Sequence, residues 1–208
     1  MKKGKFITLE GGEGSGKSTC ITFITAWLES QGIDYVVTRE PGGTPLAEEI
    51  RELILSHRDE KMHDETELLL MFAARSQHIN EKIKPAIEQG MWVISDRFVD
   101  SSYVYQGAAR GGDLGKIEQL SQWVLQGCEP DATLLFDVPV NIGLSRVQKR
   151  SQSDRLDDEP VAFHQMVREA FLQRAQTSDH YCVIDASQSI DEVNQAVQIQ
   201  LESMQAQL

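Results

Sequence analysis

Cysteine is scarce: Cys20, Cys128 and Cys182 are the only three in 208 residues. An odd, thinly spread set excludes a disulfide framework and lacks the paired spacing of a metal site, so reduced thiols in a cytosolic protein are expected. The five histidines (His57, His63, His78, His164, His180) show no metal-ligand pairing either. Long apolar runs are absent; nothing approaches the about 20 residues that cross a bilayer, so no membrane partner is expected. The start, Met1-Lys2-Lys3-Gly4-Lys5, is basic like the head of a signal peptide, but strand-like residues and Glu10 follow instead of an apolar h-region. No targeting segment is read there. Positive charge is in deficit, 20 Lys and Arg against 32 Asp and Glu, for a net charge of −12. So acidic a surface argues against a nucleic-acid partner. It leaves room for a small anionic substrate whose pocket gathers arginines against the global field. No repeat, low-complexity tract or linker interrupts residues 1–208, which read as one domain.

What is present is a glycine-rich stretch, Gly11-Gly12-Glu13-Gly14-Ser15-Gly16-Lys17-Ser18-Thr19. It satisfies G-x-x-x-x-G-K-[ST] with Gly11, Gly16, Lys17 and Ser18 in the required places. Phe6 to Glu10 reads as a short buried strand before it, and a helix follows from Lys17 to about Gln31. A strand that turns through glycines into a helix aims backbone N–H groups and the positive end of the helix dipole at one point, which suits a polyphosphate. Lys17 is then the mobile charge for the outer phosphates, and the Ser18 hydroxyl a Mg²⁺ ligand. Glu13 is discordant, because a carboxylate in a phosphate cradle repels the ligand. It must face a sugar hydroxyl, a metal-bound water or solvent.

Strand and helix patterns alternate along the rest of the chain, which indicates an α/β fold with a mainly parallel sheet. The strand candidates are Phe6 to Glu10, Tyr35 to Thr38, Trp92 to Ser95, Thr133 to Asp137 and Tyr181 to Ile184. Thr44 reads as an N-cap with Pro45 at the first helical position, for a helix to about His57 that carries Arg51. Glu40-Pro41 is expected trans by default. Asp64 reads as the N-cap of a long helix on which Phe72 and Arg75 share a face; Pro85 should kink or restart it. Asp96 and Arg97 follow the third strand, at the carboxyl end where open α/β sheets bind ligands. Asp100 to Gly107 is polar and aromatic, with donors and acceptors suited to a base and a sugar. The helix Lys116 to Gln126 offers Leu120, Trp123 and Val124 to another helix or subunit. A helix from Asn141 carries Arg146, Lys149 and Arg150. The polar stretch Ser151 to Pro160 has the composition of a lid or of a solvated loop, and composition does not separate the two. An amphipathic helix begins at about Ile190.

A phosphate loop leaves a switch GTPase, a motor or partition ATPase, and a small-molecule kinase as candidates. The N-K-x-D tetrapeptide of a guanine site does not occur. A kinase needs an acceptor pocket, a second set of arginines and a water-excluding lid, for which Arg51, Arg75, Arg97 and the Lys149, Arg150 and Arg155 group are available. Several further motifs stand in order: Thr38-Arg39-Glu40-Pro41-Gly42-Gly43-Thr44, Phe72-Ala73-Ala74-Arg75, Asp96-Arg97-Phe98 with Ser101-Ser102 and Tyr105-Gln106-Gly107, then Asp137-Val138-Pro139 and Gly143-Leu144-Ser145-Arg146. With Ile7 to Thr19 they resemble the thymidylate kinase family over nearly the whole length.

The resemblance implies a P-loop NTPase three-layer sandwich, with a five-stranded parallel sheet, helices on both faces and a small mobile lid at about 149–160. It implies transfer of the γ-phosphoryl of ATP to dTMP with Mg²⁺, in a cytoplasmic homodimer. Gly11, Gly12, Glu13, Gly14, Ser15, Gly16, Lys17, Ser18 and Thr19 would hold ATP, with Arg146 and Ala186-Ser187-Gln188 flanking adenine. Phe72 would stack on thymine and Arg75 would bond its O4. Ser101, Ser102 and Gln106 would lie near the nucleoside, and Tyr105 would crowd the 2′ position. Arg51 and Arg97 would hold the acceptor phosphate, Glu13 the 3′-hydroxyl or a metal-bound water, and Asp96 with Ser18 the Mg²⁺ or its waters. Some family members carry an arginine in the phosphate loop. Gly14 and Ser15 stand here instead, which passes that role to Arg150 and Arg155. Phe98 occupies a place where tyrosine or histidine is common.

Overall fold

The computed structural model describes residues 4–148 and 159–206. Lys149, Arg150 and Arg155, with nearly all of the expected lid, lie outside the described residues. Five strands, β1 (Phe6–Glu10), β2 (Tyr35–Arg39), β3 (Trp92–Asp96), β4 (Ala132–Asp137) and β5 (Tyr181–Asp185), form one sheet in the order β2-β3-β1-β4-β5. Every pairing is parallel, with Leu9 opposite both Asp96 and Leu134. The strands expected from sequence are all present, within a residue or so at their ends.

Alternation along the strands divides the core into layers. Ile7 and Leu9 point to one face. There they pack with Trp92, Ile94, Leu134 and Phe136 against α1 (Lys17–Ser30) and α9 (Ile190–Gln205), through Ile24, Leu28, Val197 and Leu201. Phe6 and Val93 point to the other face, toward α3 (Asp64–His78) and α6 (Leu114–Leu125). Leu135 extends that layer to α8 (Val161–Ala175), with Phe163, Val167 and Phe171. No reading of the sequence included α8, although its buried residues follow the i, i+4, i+7, i+8 spacing of an amphipathic helix. The central β1 is wholly buried, while edge strands β2 and β5 leave Val37 and Val183 exposed.

Local signals place the other elements. Thr44 caps α2 (Pro45–Leu55), its Oγ1 accepting from the Ala47 N–H at 3.3 Å. Asp64 is the first residue of α3 rather than its cap; His63 holds the cap position without a side-chain bond. The helix runs through a π-helical turn, Ile79–Ile83, into α4 (Lys84–Glu88), where Pro85 falls in the first turn and has no N–H to leave unpaired. The stretch after β3 coils into α5 (Val99–Ser102) and a second π-helical run, Tyr103–Ala109. The Glu40–Pro41 bond is cis, contrary to the default. The face expected on α6 divides: Leu120 and Val124 pack inward, whereas Trp123 is 73% exposed. The helix after β4 is α7 (Val140–Val147). Among the described residues no helix is long and apolar enough to cross a membrane.

Ile24 is fully buried where α1 meets the sheet. Ile24→Ala should cost about 2–5 kcal/mol through lost contact and the cavity left behind. A lower urea midpoint at unchanged slope would record it.

Candidate active site

β1 lies between β3 and β4, neither of them its neighbour in sequence, so the chain reverses direction around it. A crevice opens there beyond the carboxyl ends of the strands. The glycine loop fills it. Gly14 and Gly16 have φ of 67° and 92°, in the left-handed region, and a Cβ on Gly14 would lie 2.1 Å from the Gly143 carbonyl oxygen of α7. The loop therefore seats directly on α7 backbone. Gly16 caps α1 without a side-chain bond, and the first turn of α1 has no acidic residue. That helix end is left for an anion. Lys17 folds back over the loop, its Nζ donating to the Gly11 and Gly12 carbonyls at 3.0 and 3.2 Å and to Ser15 Oγ at 3.3 Å.

A cavity of about 240 Å³ starts at this loop and extends between α2, α3 and the segment after β3. Of the expected residues, Glu13, Gly14, Ser15, Gly16, Lys17, Ser18, Arg51, Arg75, Asp96, Arg97, Ser101, Ser102, Tyr105 and Gln106 all line it. Phe72 does not. It is buried in the layer with Phe6, Phe98 and Ile117, and its ring packs beneath Arg75, whose guanidinium carbon is 4.7 Å from the ring centroid. Met71 lines the cavity instead. Residues i and i+4 share a helix face more closely than i and i+3 when the wall runs along that face, and Met71 stands four before Arg75. Thr19 and Gly11 border other openings.

Arg97 and Glu13 in the cavity are already paired. Arg97 has φ of 71°, a left-handed conformation costing a non-glycine residue about 1–2 kcal/mol. The turn sends its side chain back to the loop, where it donates to Glu13 Oε1 at 2.6 Å, the Gly11 carbonyl at 3.0 Å and Ser101 Oγ at 3.2 Å. Tyr105 donates to the same Glu13 oxygen at 3.1 Å. Glu13 is thus held by Arg97 and Tyr105, not turned to solvent. Burial acts to raise the Glu13 pKa, but Arg97, then Lys17 and the Tyr105 bond, outweigh it and hold the carboxyl at about 2. Burial and then Arg97 lower the Lys17 pKa, against Asp96, Glu13 and Glu10.

Glu10, which sequence reasoning passed over, ends β1 fully buried. It accepts from the Phe98 N–H at 2.8 Å and from the Ser101 hydroxyl at 2.7 Å, tying the segment after β3 to β1. Burial first, and Asp100 next, raise its pKa to about 7. Asp96 Oδ1 is buried with no hydrogen-bond partner among the described residues. Arg51 donates to the Pro41 carbonyl at 2.8 Å and Gln106 to Glu67 at 2.9 Å. On the other side of the loop, Arg146 bridges the Gly14 and Ala186 carbonyls at 3.3 and 3.1 Å. A groove of about 200 Å³ there is lined by Ser15, Gly16, Thr19, Arg146, Ala186 and Gln188 among others. Among the described residues no cluster of His, Cys, Asp or Glu is placed to hold a metal by itself.

A glycine loop on an open helix end, facing arginines across a cavity and flanked by a second groove, defines a P-loop NTPase built to join a nucleotide to a small anionic acceptor. The chain belongs to the thymidylate kinase family, whose model matches residues 9–197. A thymidylate kinase from Marinomonas sp. (strain MWYL1) is 60% identical over 200 residues, which cover 96% of this chain and 94% of that protein. Those of Nitrosomonas eutropha (strain DSM 101675 / C91 / Nm57) and Vesicomyosocius okutanii subsp. Calyptogena okutanii (strain HA) are 50% and 49% identical. They cover 95% and 98% of this chain and 92% and 100% of their own lengths.

Because the folded Glu13 carboxyl titrates at about 2 against an ordinary 4.5, its contribution to stability is complete above pH 4.5 and lost as pH falls toward 2. The stability gap between the native protein and Glu13→Gln should therefore grow from pH 2 to 4.5 and flatten above. Urea melts across that range would show it.

Proposed function

We propose that this chain phosphorylates dTMP to dTDP with ATP, a step that supplies dTTP for DNA synthesis. The observation that carries the reading is the single cavity joining the phosphate loop to Arg51, Arg75 and Arg97. ATP lies with its phosphates on Gly11 to Thr19 and its base in the groove beside Arg146. The dTMP phosphate lies toward Arg51 and Arg97, its sugar beside Tyr105 and Glu13, and its base at the end formed by Arg75, Ser101, Ser102 and Gln106. The role that the resemblance gave to Phe72 passes to Met71, because Phe72 is enclosed in the core.

The chemistry is one of positioning. The acceptor phosphate is already an anion at neutral pH, so no strong base is required, and the difficulty is to align two anions. Lys17 and Arg97 offset the charge on the transferring group. Both must exchange present partners for phosphate oxygens: Lys17 the loop carbonyls, Arg97 part of its contact with Glu13. Glu13 then keeps Tyr105 and is released toward the sugar. Oxygen donors suit Mg²⁺, and the Ser18 hydroxyl with the Asp96 carboxylate, whose Oδ1 has no hydrogen-bond partner among the described residues, would hold it or its waters. Bound there, Mg²⁺ would neutralise charge between the phosphates. The same reading includes a single domain with a lid over about 149–160 that brings Arg150 and Arg155 to the phosphates. It includes a cytoplasmic homodimer, for which cysteines that form no disulfide among the described residues and the exposed Trp123 and Leu69 speak. No nucleic acid enters it.

ADP formation from Mg-ATP should be strong with dTMP, weaker with dUMP and near zero with dCMP, dGMP, AMP or no acceptor. Steady hydrolysis without an acceptor would overturn the reading. Lys17→Ala should abolish turnover in the same assay. Met71→Ala should raise KM for dTMP on the order of tenfold with kcat little changed, from lost apolar contact with the base. Phe72→Leu should lower the melting temperature and leave that KM nearly unchanged.

A further inference from the structure

Behind Arg75, the base end of the cavity depends on buried polar groups, Glu40, His78 and Thr38, of which His78 and Thr38 do not line it. Arg75 is 2% exposed and Glu40 5% exposed. The Arg75 Nε–H donates to Glu40 Oε2 at 2.7 Å, one Nη to Ser102 Oγ at 3.1 Å and the other to the Phe98 carbonyl at 3.1 Å. The other Glu40 oxygen meets His78 Nδ1 at 3.0 Å, and His78 Nε2 meets Thr38 Oγ1 at 2.6 Å. His78 is fully buried. A carboxylate has only lone pairs to offer, so Nδ1 carries the proton of the Glu40 contact. The four residues come from β2, the loop after it, and two successive turns of α3.

We propose that Glu40 and His78 are positioning residues for base recognition: they set the plane of the Arg75 guanidinium, and so decide which base the acceptor site takes. This rests on reading the cavity as the dTMP site. The argument is geometric. A guanidinium held by Nε alone can still tilt; here Glu40, Ser102 and Phe98 take one N–H from each of its three nitrogens, which fixes the plane. The N–H groups left over point along fixed directions and suit a carbonyl oxygen at the pyrimidine C4. Cytosine presents an amino group there, and donor would face donor. A site built around a buried donor rejects a ligand that cannot accept from it far more strongly than a loose one does. Burying such an ion pair returns little net stability, since desolvation offsets attraction, so orientation is what the arrangement gains. Glu40 in turn would be free to rotate about its own side-chain bonds without His78. The imidazole is enclosed, and Thr38 anchors its far nitrogen. The edge of His78 also packs closely on Gly43, where an added Cβ would come within 2.5 Å of the ring.

The test compares kcat/KM for dTMP with that for dCMP, alongside melting temperature. Glu40→Gln should narrow the dTMP preference about tenfold, mostly through a higher KM for dTMP, with kcat changed far less. His78→Asn places an amide nitrogen near the position of Nδ1 and should keep a ratio close to native. His78→Gln reaches toward Thr38 instead, loses the Glu40 contact, and should narrow the ratio several-fold. A merely structural role would lower the melting temperature in all three and leave the ratio of the folded enzyme unchanged; that result would overturn the proposal. Equal effects of His78→Asn and His78→Gln on the ratio would also overturn it. Should Glu40→Gln not fold, the His78 pair carries the test alone. A native enzyme that does not prefer dTMP over dCMP would refute the acceptor reading itself, before any variant is compared.

Discussion

The site depends on how closely the glycine loop after β1 approaches α7. No side chain fits between Gly14 and Gly143: a Cβ on either would press within about 2.5 Å of the other segment's backbone oxygens. Because the loop rests on backbone, its own N–H groups and the end of α1 face outward in one direction. Everything else at the top of the sheet is measured from that fixed point. The position of β1 in the middle of the sheet, wholly buried, keeps the loop from shifting with the edges.

A protein of net charge −12 that handles two anions must solve a local problem of opposite sign. It does so by bringing arginines inward and giving each a temporary or permanent partner. Arg97 is held by Glu13, Arg75 by Glu40, and Arg51 by the Pro41 carbonyl. The pairings are not equivalent. Glu40 and Arg75 are almost sealed from water, so that contact is a fixed one. Glu13 and Arg97 line the cavity beside Lys17, where their contact is open to exchange. Two carboxylates three residues apart, Glu10 at the end of β1 and Glu13 in the loop, also take opposite settings. Glu10, enclosed and near Asp100, is raised to about 7, while Glu13, among cations, is lowered to about 2. Burial acts in the same direction on both, so neighbouring charge makes the difference.

The α3 wall of the cavity shows how one position along a helix changes a side chain's surroundings. Phe72 and Met71 are adjacent in sequence and about 100° apart around α3. The resemblance gave the aromatic residue the stacking role, and it stands three before Arg75, within the spacing of a shared face. The core claimed it, with Phe6, Phe98 and Val99, and used its ring as a floor for the Arg75 guanidinium. The flexible, unbranched thioether of Met71 was left to line the cavity.

The sequence alone determined the fold class, the five strands and the phosphate loop, while most of the residues that line the cavity were named through the resemblance. The former are written in local spacing: glycines before a lysine, a proline after a threonine cap, apolar runs of strand length. Tertiary structure decided what local spacing does not encode. Sheet order put β1 between β3 and β4, and so placed Arg97 beside Glu13, 84 residues away in the chain. The contacts of Glu40 with Arg75 and His78 span 35 and 38 residues. The choice of Met71 over Phe72 required knowing which side of α3 meets the core. Side-chain type and period say that a residue is apolar or charged, but its partner is set by which elements the sheet brings together, and that is a property of the packed chain.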